Sequence, residues 1–317
     1  MRLIGINVIK CFFFVPVFML MLSKAMSAEI IPAKMLASYW VDNSAGVSLS
    51  GLSFCDQLVT ISAKNPKEIY TLKVNGERAE LVPHITLFGL RAPKGEKPTN
   101  IWHFILDLFR PASAMRFHGV CCRADGTFVV SERYNRVAEI GRDGRANWQE
   151  HVWSPAIKHR GYLLRYNNGG EGLVQVDDNL WVAIEREPRG LLKLEPNGTF
   201  QVLSLPPVDG LDFRGRPENL RGLDYYDDAL FTLESNAHAV CRRSLPGLSA
   251  EWCLVYRHHE ESPEHAYQVS RFGGNGAGLA VNDQGIFVVF NNNNISRAQV
   301  PHDRRGLMLH LALPEGF

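Results

Sequence analysis

The chain has 317 residues, 45% of them apolar and 21% charged, with a formal net charge of +1. That is enough apolar material to bury the core of one large domain or two ordinary ones. The balanced charge gives no footing for nucleic acid, an anionic membrane surface or another polyanion as the partner.

At the N-terminus Arg2 and Lys10 lead into an apolar run over Cys11–Leu22, and small residues follow in Ser23–Ala28. Charged, apolar and small residues in that order describe a secretory signal peptide. The run is shorter than the roughly 20 residues of a bilayer span, which favours cleavage over an uncleaved anchor. Candidate cuts follow Ala25, Ser27 or Ala28. Residues 1–28 are therefore expected to be removed and residues 29–317 to form a single domain. No later segment is long and apolar enough to span a membrane, so the mature protein is expected to be soluble and secreted or periplasmic. It keeps Cys55, Cys121, Cys122, Cys241 and Cys253. An odd number leaves at least one free or paired between chains. Cys241 with Cys253 is the best candidate pair, since the two flank a turn-like segment; the alternative is five buried thiols. The Cys121-Cys122 doublet lacks zinc spacing.

A repeat runs through the rest of the chain. It opens with glycine and an apolar residue, passes an Asp/Asn/Gly turn and ends an apolar strand in polar residues. Its copies begin at Gly51, Gly119, Gly172, Gly222 and Gly278, at spacings of 68, 53, 50 and 56 residues. In the last four an aromatic residue falls nine after the glycine (Phe128, Trp181, Phe231, Phe287), and Glu132, Glu185, Ser235 or Asn291 falls thirteen after it. Each copy reads as two short strands joined by a hairpin. Third strands are expected at Glu68–Lys73, Arg136–Ile140, Gly190–Leu194 and Ala239–Arg242, and fourth strands at Thr199–Leu203 and Trp252–Tyr256. A helix is expected only at Trp102–Phe109. Such units are the blades of a β-propeller. A sandwich would lack the common register, and a parallel βαβ fold would need helices between the strands. The fold class is thus all-β, a five-bladed propeller, or six-bladed if 77–118 hides a degenerate blade. Lys34–Val41 is expected to close the terminal blade.

In a propeller the first strand of each blade lines the central channel, so polar residues at equivalent repeat positions converge. The residues before the glycines are Ser50, His118, Glu171, Arg221 and Ala277, with Asn167, Asn168, Glu218, Asn219 and Asn275 nearby. The second strands end in Glu132-Arg133, Glu185-Arg186, Glu234-Ser235 and Asn291-Asn292. Glu171, Glu132 and His118 are the catalytic candidates, a carboxylate there being able to act as a general base. Arg186, Arg221, Asn292 and Asn275 are candidates for holding substrate, the arginines by two-point contact with an anion. Glu171, Glu185 and Glu218 are candidate ligands for Ca²⁺, which takes six to eight oxygens and could polarise an ester or phosphoester. The alternatives are plain: Glu-Arg pairs that brace neighbouring blades, a core histidine at His118, and a loop over Asn291–Asn294. Asn197-Gly-Thr and Asn294-Ile-Ser fit the glycosylation triplet. No Gly-x-Ser-x-Gly elbow, phosphate-binding Gly-rich loop or His-Glu-x-x-His is present. Gly273–Gly278 introduces a strand rather than a helix, which argues against a dinucleotide site.

Asn167-Asn-Gly-Gly-Glu-Gly-Leu173, followed by Leu180-Trp-Val-Ala-Ile-Glu-Arg186, resembles the "esterase-like activity of phytase" propeller family. Ser50-Gly-Leu52, Arg221-Gly-Leu-Asp224 through Glu234, and Asn275–Asn294 with Leu307–Leu311 are similar to its opening, later and closing blades. Propellers regulated by the quorum sensor SdiA and calcium lactonases share much of this pattern. The resemblance implies a hydrolase and carries over Glu171, Glu185, Glu132 and Asn292. Ser62-Ala63-Lys64 departs from its Ser-Asp, and Ala277 and Asn291 stand where it tends to have acids. The expected function is an exported hydrolase of a small ester or phosphoester. The alternative is a non-catalytic propeller binding a small molecule, glycan or envelope protein.

Overall fold

A computed structural model describes residues 28–93, 102, 105, 115–123, 126–165, 168–268 and 276–316. Two strands open the chain, β1 (Glu29–Pro32) and β2 (Met35–Trp40). Blade 1 then runs β3 (Leu49–Cys55), β4 (Gln57–Ser62), β5 (Glu68–Asn75) and β6 (Arg78–Thr86). Blade 2 is β7 (Phe117–Arg123), β8 (Gly126–Ser131), β9 (Arg136–Ile140) and β10 (Ala146–Trp148), followed by the short helix α1 (Ser154–Lys158). Blade 3 is β11 (Gly170–Val176), β12 (Asn179–Ile184), β13 (Gly190–Leu194) and β14 (Phe200–Ser204). Blade 4 is β15 (Gly222–Tyr226), β16 (Ala229–Glu234), β17 (Ala239–Ser244) and β18 (Ala250–Val255), followed by α2 (Arg257–Glu260). Blade 5 is β19 (Gly276–Asn282), β20 (Gly285–Phe290) and β21 (Leu307–Leu311). This is a five-bladed β-propeller. The 77–118 stretch that could have hidden a sixth blade supplies β6 and the start of β7. Of the expected helix over Trp102–Phe109, only Trp102 and Ile105 are described, and both are helical. No helix among the described residues is long and apolar enough to cross a membrane. The proposed signal segment lies outside them.

The N-terminal strands close the ring. β2 pairs antiparallel with β21 as the outermost strand of blade 5, with Tyr39 opposite Met308. The sequence placed that strand at Lys34–Val41. β1 was not foreseen there: it adds a parallel fifth strand to the outer edge of blade 4, with Ile30 opposite Cys253.

The repeat owes its glycine to the width of the ring. A Cβ on Gly51 would lie 2.6 Å from the His118 carbonyl oxygen of blade 2. On Gly119 it would lie 2.5 Å from the Glu171 oxygen of blade 3, and on Gly172 2.7 Å from the Leu223 nitrogen of blade 4. Gly222 meets Leu279 of blade 5 at 2.9 Å, and Gly278 meets the Gly51 carbonyl carbon of blade 1 at 2.6 Å. Each missing side chain thus points at the next blade, all the way round. The throat these glycines line is too narrow for a water molecule. The aromatic nine residues on does the opposite work and fills the gap between blades. Phe128 packs into the core between blades 2 and 3, Trp181 between 3 and 4, Phe231 between 4 and 5, and Phe287 between 5 and 1. The first copy lacks the aromatic, and Phe117 serves the core between blades 1 and 2.

Cys241 and Cys253 face each other across β17 and β18 and form a disulfide. A second bond, Cys55–Cys122, was not foreseen; it ties the ends of β3 and β7 and so blade 1 to blade 2. Cys121 is the free, buried thiol among the described residues, its pKa pushed well up by burial. The Cys55–Cys122 bond closes a separation of 67 residues. Loop-closure entropy makes such a crosslink worth about 4 kcal/mol. Paired alanine substitution at Cys55 and Cys122 is expected to cost that much in denaturant unfolding. A loss under about 1 kcal/mol would mean that packing alone holds the two blades together.

Candidate functional site

Near their starts, four of the five inner strands slip register against the second strand of their own blade. The shifts fall at Ser50/Leu52, Phe117/Gly119, Gly170/Leu173 and Gly276/Gly278. A bulge re-aims a side chain, and each of these lies beside the residue that precedes the repeat glycine. Ser50, His118, Glu171, Arg221 and Ala277 are thereby set around one mouth, above a floor of glycine. The second strands run antiparallel to the first, so Glu132, Glu185, Ser235 and Asn291 reach the same end.

Blades 2 and 3 hold the densest part. His118 Nδ1 lies 2.9 Å from Glu171 Oε2 and 3.3 Å from Ser50 Oγ, and its Nε2 lies 3.8 Å from Glu132 Oε2. Arg116 Nε meets Glu132 Oε2 at 2.5 Å, from a backbone held at a φ of 51°. That left-handed conformation costs a non-glycine residue of order 1 kcal/mol and is common at functional sites. Glu185 Oε1 accepts from Arg186 Nη1 at 2.8 Å and from Arg221 Nη2 at 3.3 Å. Asn168 fixes the Arg186 backbone, accepting from its N–H at 3.1 Å and donating to its carbonyl.

Glu171 and Glu185 are pushed in opposite directions. Burial alone would raise the Glu171 pKa, but His118, Arg221 and Arg116 outweigh it and hold the group below the usual range. Burial alone would lower the His118 pKa, yet Glu171 and Glu132 outweigh it and hold the imidazole above its usual range. Glu185 is 1% exposed. Burial, then the charge of Glu171, push its carboxyl up to about 7, against the pull of Arg221 and Arg186. One carboxylate held low beside a histidine and one carboxyl poised near neutrality is the kind of split that separates acid–base roles.

The other sequence candidates fall elsewhere. Glu218 is 46% exposed and bound to Arg189 at 2.8 Å. Arg189 in turn meets Glu234, which also accepts from the fully buried Arg243 at 2.8 Å. That network braces blades 3 and 4. Asn292 donates to the carbonyls of Ile295, Arg304 and Arg305 and shapes its own loop rather than facing a substrate. Asn167 and Asn275 lie outside the described residues. Arg133 stacks over Tyr134, and Glu132 pairs with Arg116 instead. Glu185-Arg186 does form the ion pair that the adjacent letters suggested.

The calcium expectation does not fit this donor set. Glu171 faces His118, Glu185 faces two guanidinium groups, and Glu218 is tied to Arg189. Among the described residues no group of three His, Cys, Asp or Glu could hold a metal ion.

Sequence reasoning missed Arg116 and Tyr256. Arg116 occupies the position three before its repeat glycine, where blade 4 has the Asn219 that the sequence did single out, a second polar column that could have been read beside the first. Tyr256 follows β18 and has no counterpart in the repeat. Its hydroxyl is buried without a hydrogen-bond partner among the described residues and lies 2.6 Å from where a Gly276 side chain would stand.

No protein-family model and no curated protein matches the sequence. Among solved structures the chain is similar to the glutaminyl cyclase of Myxococcus xanthus, at 11% identity and a TM-score of 0.54, over 91% of this chain and 100% of that one. It is similar also to a gluconolactonase from Xanthomonas campestris, at 10% identity and a TM-score of 0.43, over 90% and 98%. A streptogramin B lyase gives 11% and 0.40, over 84% and 94%. At such identities the likeness is one of fold: the chain shares the β-propeller, and its chemistry has to be read from its own mouth.

Proposed function

We propose that this propeller hydrolyses a small ester or phosphoester at the mouth above the glycine ring. The carrying observation is Glu185, a buried carboxyl with a pKa near 7 between Arg186 and Arg221. A group with that pKa can take a proton from water and return it to the leaving oxygen at neutral pH. Arg221 and Arg186 stand where negative charge would develop and would lower its cost. Glu171, fixed as an anion by His118, raises the Glu185 pKa and keeps it near neutrality. The resemblance to the phytase-like esterase family supports the same reaction class through Glu171, Glu185 and Glu132. We propose also that the protein works outside the cytoplasm, since the N-terminal pattern and two disulfides both suit an oxidising compartment.

One observation favours the rival reading, binding without turnover of a small molecule, glycan or envelope protein: Glu132, Glu171 and Glu185 each already face a cationic side chain. A screen of the purified protein on simple esters and phosphoesters, with and without chelator, separates the two. Turnover that survives chelation is expected. Its loss on chelation would return calcium to the mechanism, and no turnover on any substrate would leave the binding reading.

A further inference from the structure

A cavity of about 680 Å³ lies between blades 1 and 2, at the far end of the ring from the mouth. Ligand clefts commonly enclose about 300 to 1,000 Å³. This one forms where the inner strands end. Cys55 closes β3, Cys122 stands one residue before the end of β7, and the disulfide between them lines the cavity. Both cysteines are half-buried, whereas Cys241 and Cys253 are each 0% exposed. A small molecule can thus reach the first disulfide from solvent and cannot reach the second.

The charges around the cavity lean positive. Arg123, Arg142 and His84 line it together with Asp56. The same end of the ring is acidic over blades 3 and 4, where the hairpin turns carry Asp177, Asp178, Asp227 and Asp228. Regions of opposite sign on one face steer an anion toward the basic side. Cys121 takes no part in the disulfide's chemistry. Side chains alternate along a strand, so Cys121 packs between blades 2 and 3 while Cys122 turns to the seam of blades 1 and 2. Burial pushes the Cys121 pKa well up, and only a thiolate attacks a disulfide. Cys121 is the free thiol among the described residues, so the attacking sulfur has to come from another molecule.

We propose that Cys55–Cys122 is a thiol-exchange site, opened by a small carboxylate-bearing thiol that docks in this cavity. The incoming thiolate bonds to one sulfur as the S–S bond breaks. The other cysteine leaves as a thiolate and takes a proton from water. The protein then carries the small thiol as a mixed disulfide. A second molecule of thiol displaces the first as a symmetrical disulfide, and two electrons have then passed to the protein. The basic side chains of the wall attract the carboxylate of the incoming thiol. Opening the bond unties β3 from β7, whose other ends carry Ser50 and His118. The site is separate from the mouth and does not depend on the hydrolase reading.

The test is thiol exchange on the folded protein, quenched by alkylation and read by peptide mass mapping. The thiols are mercaptopropionate, mercaptoethanol and cysteamine, which are anionic, neutral and cationic. Each rate is divided by the same thiol's rate on the uncharged disulfide of mercaptoethanol, which removes differences in intrinsic reactivity. A mixed disulfide at Cys55 or Cys122 is expected, forming at least about tenfold faster than any reaction at Cys241–Cys253, since access governs exchange. The corrected rate should be about two- to fivefold higher for mercaptopropionate than for cysteamine, the effect of a partly exposed ion pair. Arg142→Gln, at an exposed position, should narrow that preference and leave the unfolding midpoint in place. Combining it with Arg123→Gln should abolish the preference. Three results overturn the proposal: no mixed disulfide on the folded protein, equal opening of the two disulfides, or a corrected rate that charge leaves unchanged or that is highest for cysteamine.

Discussion

Glutamine in place of Glu185 is expected to lower kcat by roughly 100- to 10,000-fold, the range supplied by a positioned acid or base. The KM should stay within a few-fold, because Arg221 and Arg186 remain. The pH profile is the sharper readout. Wild-type kcat should bend near pH 7, where the Glu185 carboxyl titrates, rising through that point if Glu185 is the base and falling if it is the acid. The glutamine variant should lose the bend. Stability gives an independent check with a fixed sign. Between the ordinary value of 4.5 and about 7 the unfolded chain releases this proton and the folded chain keeps it. The contribution is therefore fully present below 4.5 and is lost as pH rises through 7. Glu185→Gln should flatten that part of the stability curve. A bend near pH 7 that persists in the variant would assign the titration to another group.

Alanine at Gly119 is expected to be a severely damaging substitution in the ring of inner strands. Its Cβ would lie 2.5 Å from the Glu171 oxygen and 2.6 Å from the Leu173 nitrogen. Both are backbone atoms of an inner strand, so neither can swing aside as a flexible side chain would. Overpacking against fixed atoms costs about 4 kcal/mol or more at the upper end, a large share of the roughly 5–15 kcal/mol of a typical domain. A collapse in soluble yield or a large drop in unfolding midpoint is the expected result. Gly247, where nothing lies within 4 Å, is the control, and Gly247→Ala should remain near wild type. Equal behaviour of the two variants would mean that the ring can widen, and that the throat is not held by glycine contacts.

The blades were legible because the constraint that makes them is local and repeated. Every inner strand must drop its side chain at one place, and every second strand but one places an aromatic nine residues later. Those two requirements write themselves into the letters Gly119…Phe128 and Gly172…Trp181 whatever the loops do. The mouth was legible in its first column, since symmetry carries the residue before each glycine to one end. It was not legible in its pairings. Glu132 neighbours Arg133 in sequence but meets Arg116 across the hairpin, and Glu218 lies near a repeat glycine in sequence yet serves a brace with Arg189. Which cation answers which acid depends on side-chain reach, which spacing does not encode. Cys55–Cys122 escaped for a related reason: the two are adjacent only because blade 2 follows blade 1 around the ring.

β2 precedes all five blades in the chain and must wait for its partner, Leu307–Leu311, to emerge after them. Until then blade 5 is two strands wide, and the apolar seam that buries Tyr39, Leu52 and Phe287 together stays open to water. A nascent chain is thus an unlocked arc with sticky ends, and no amount of time on the ribosome can fasten it. Removing residues 29–40 should therefore do the same harm as removing residues 306–316.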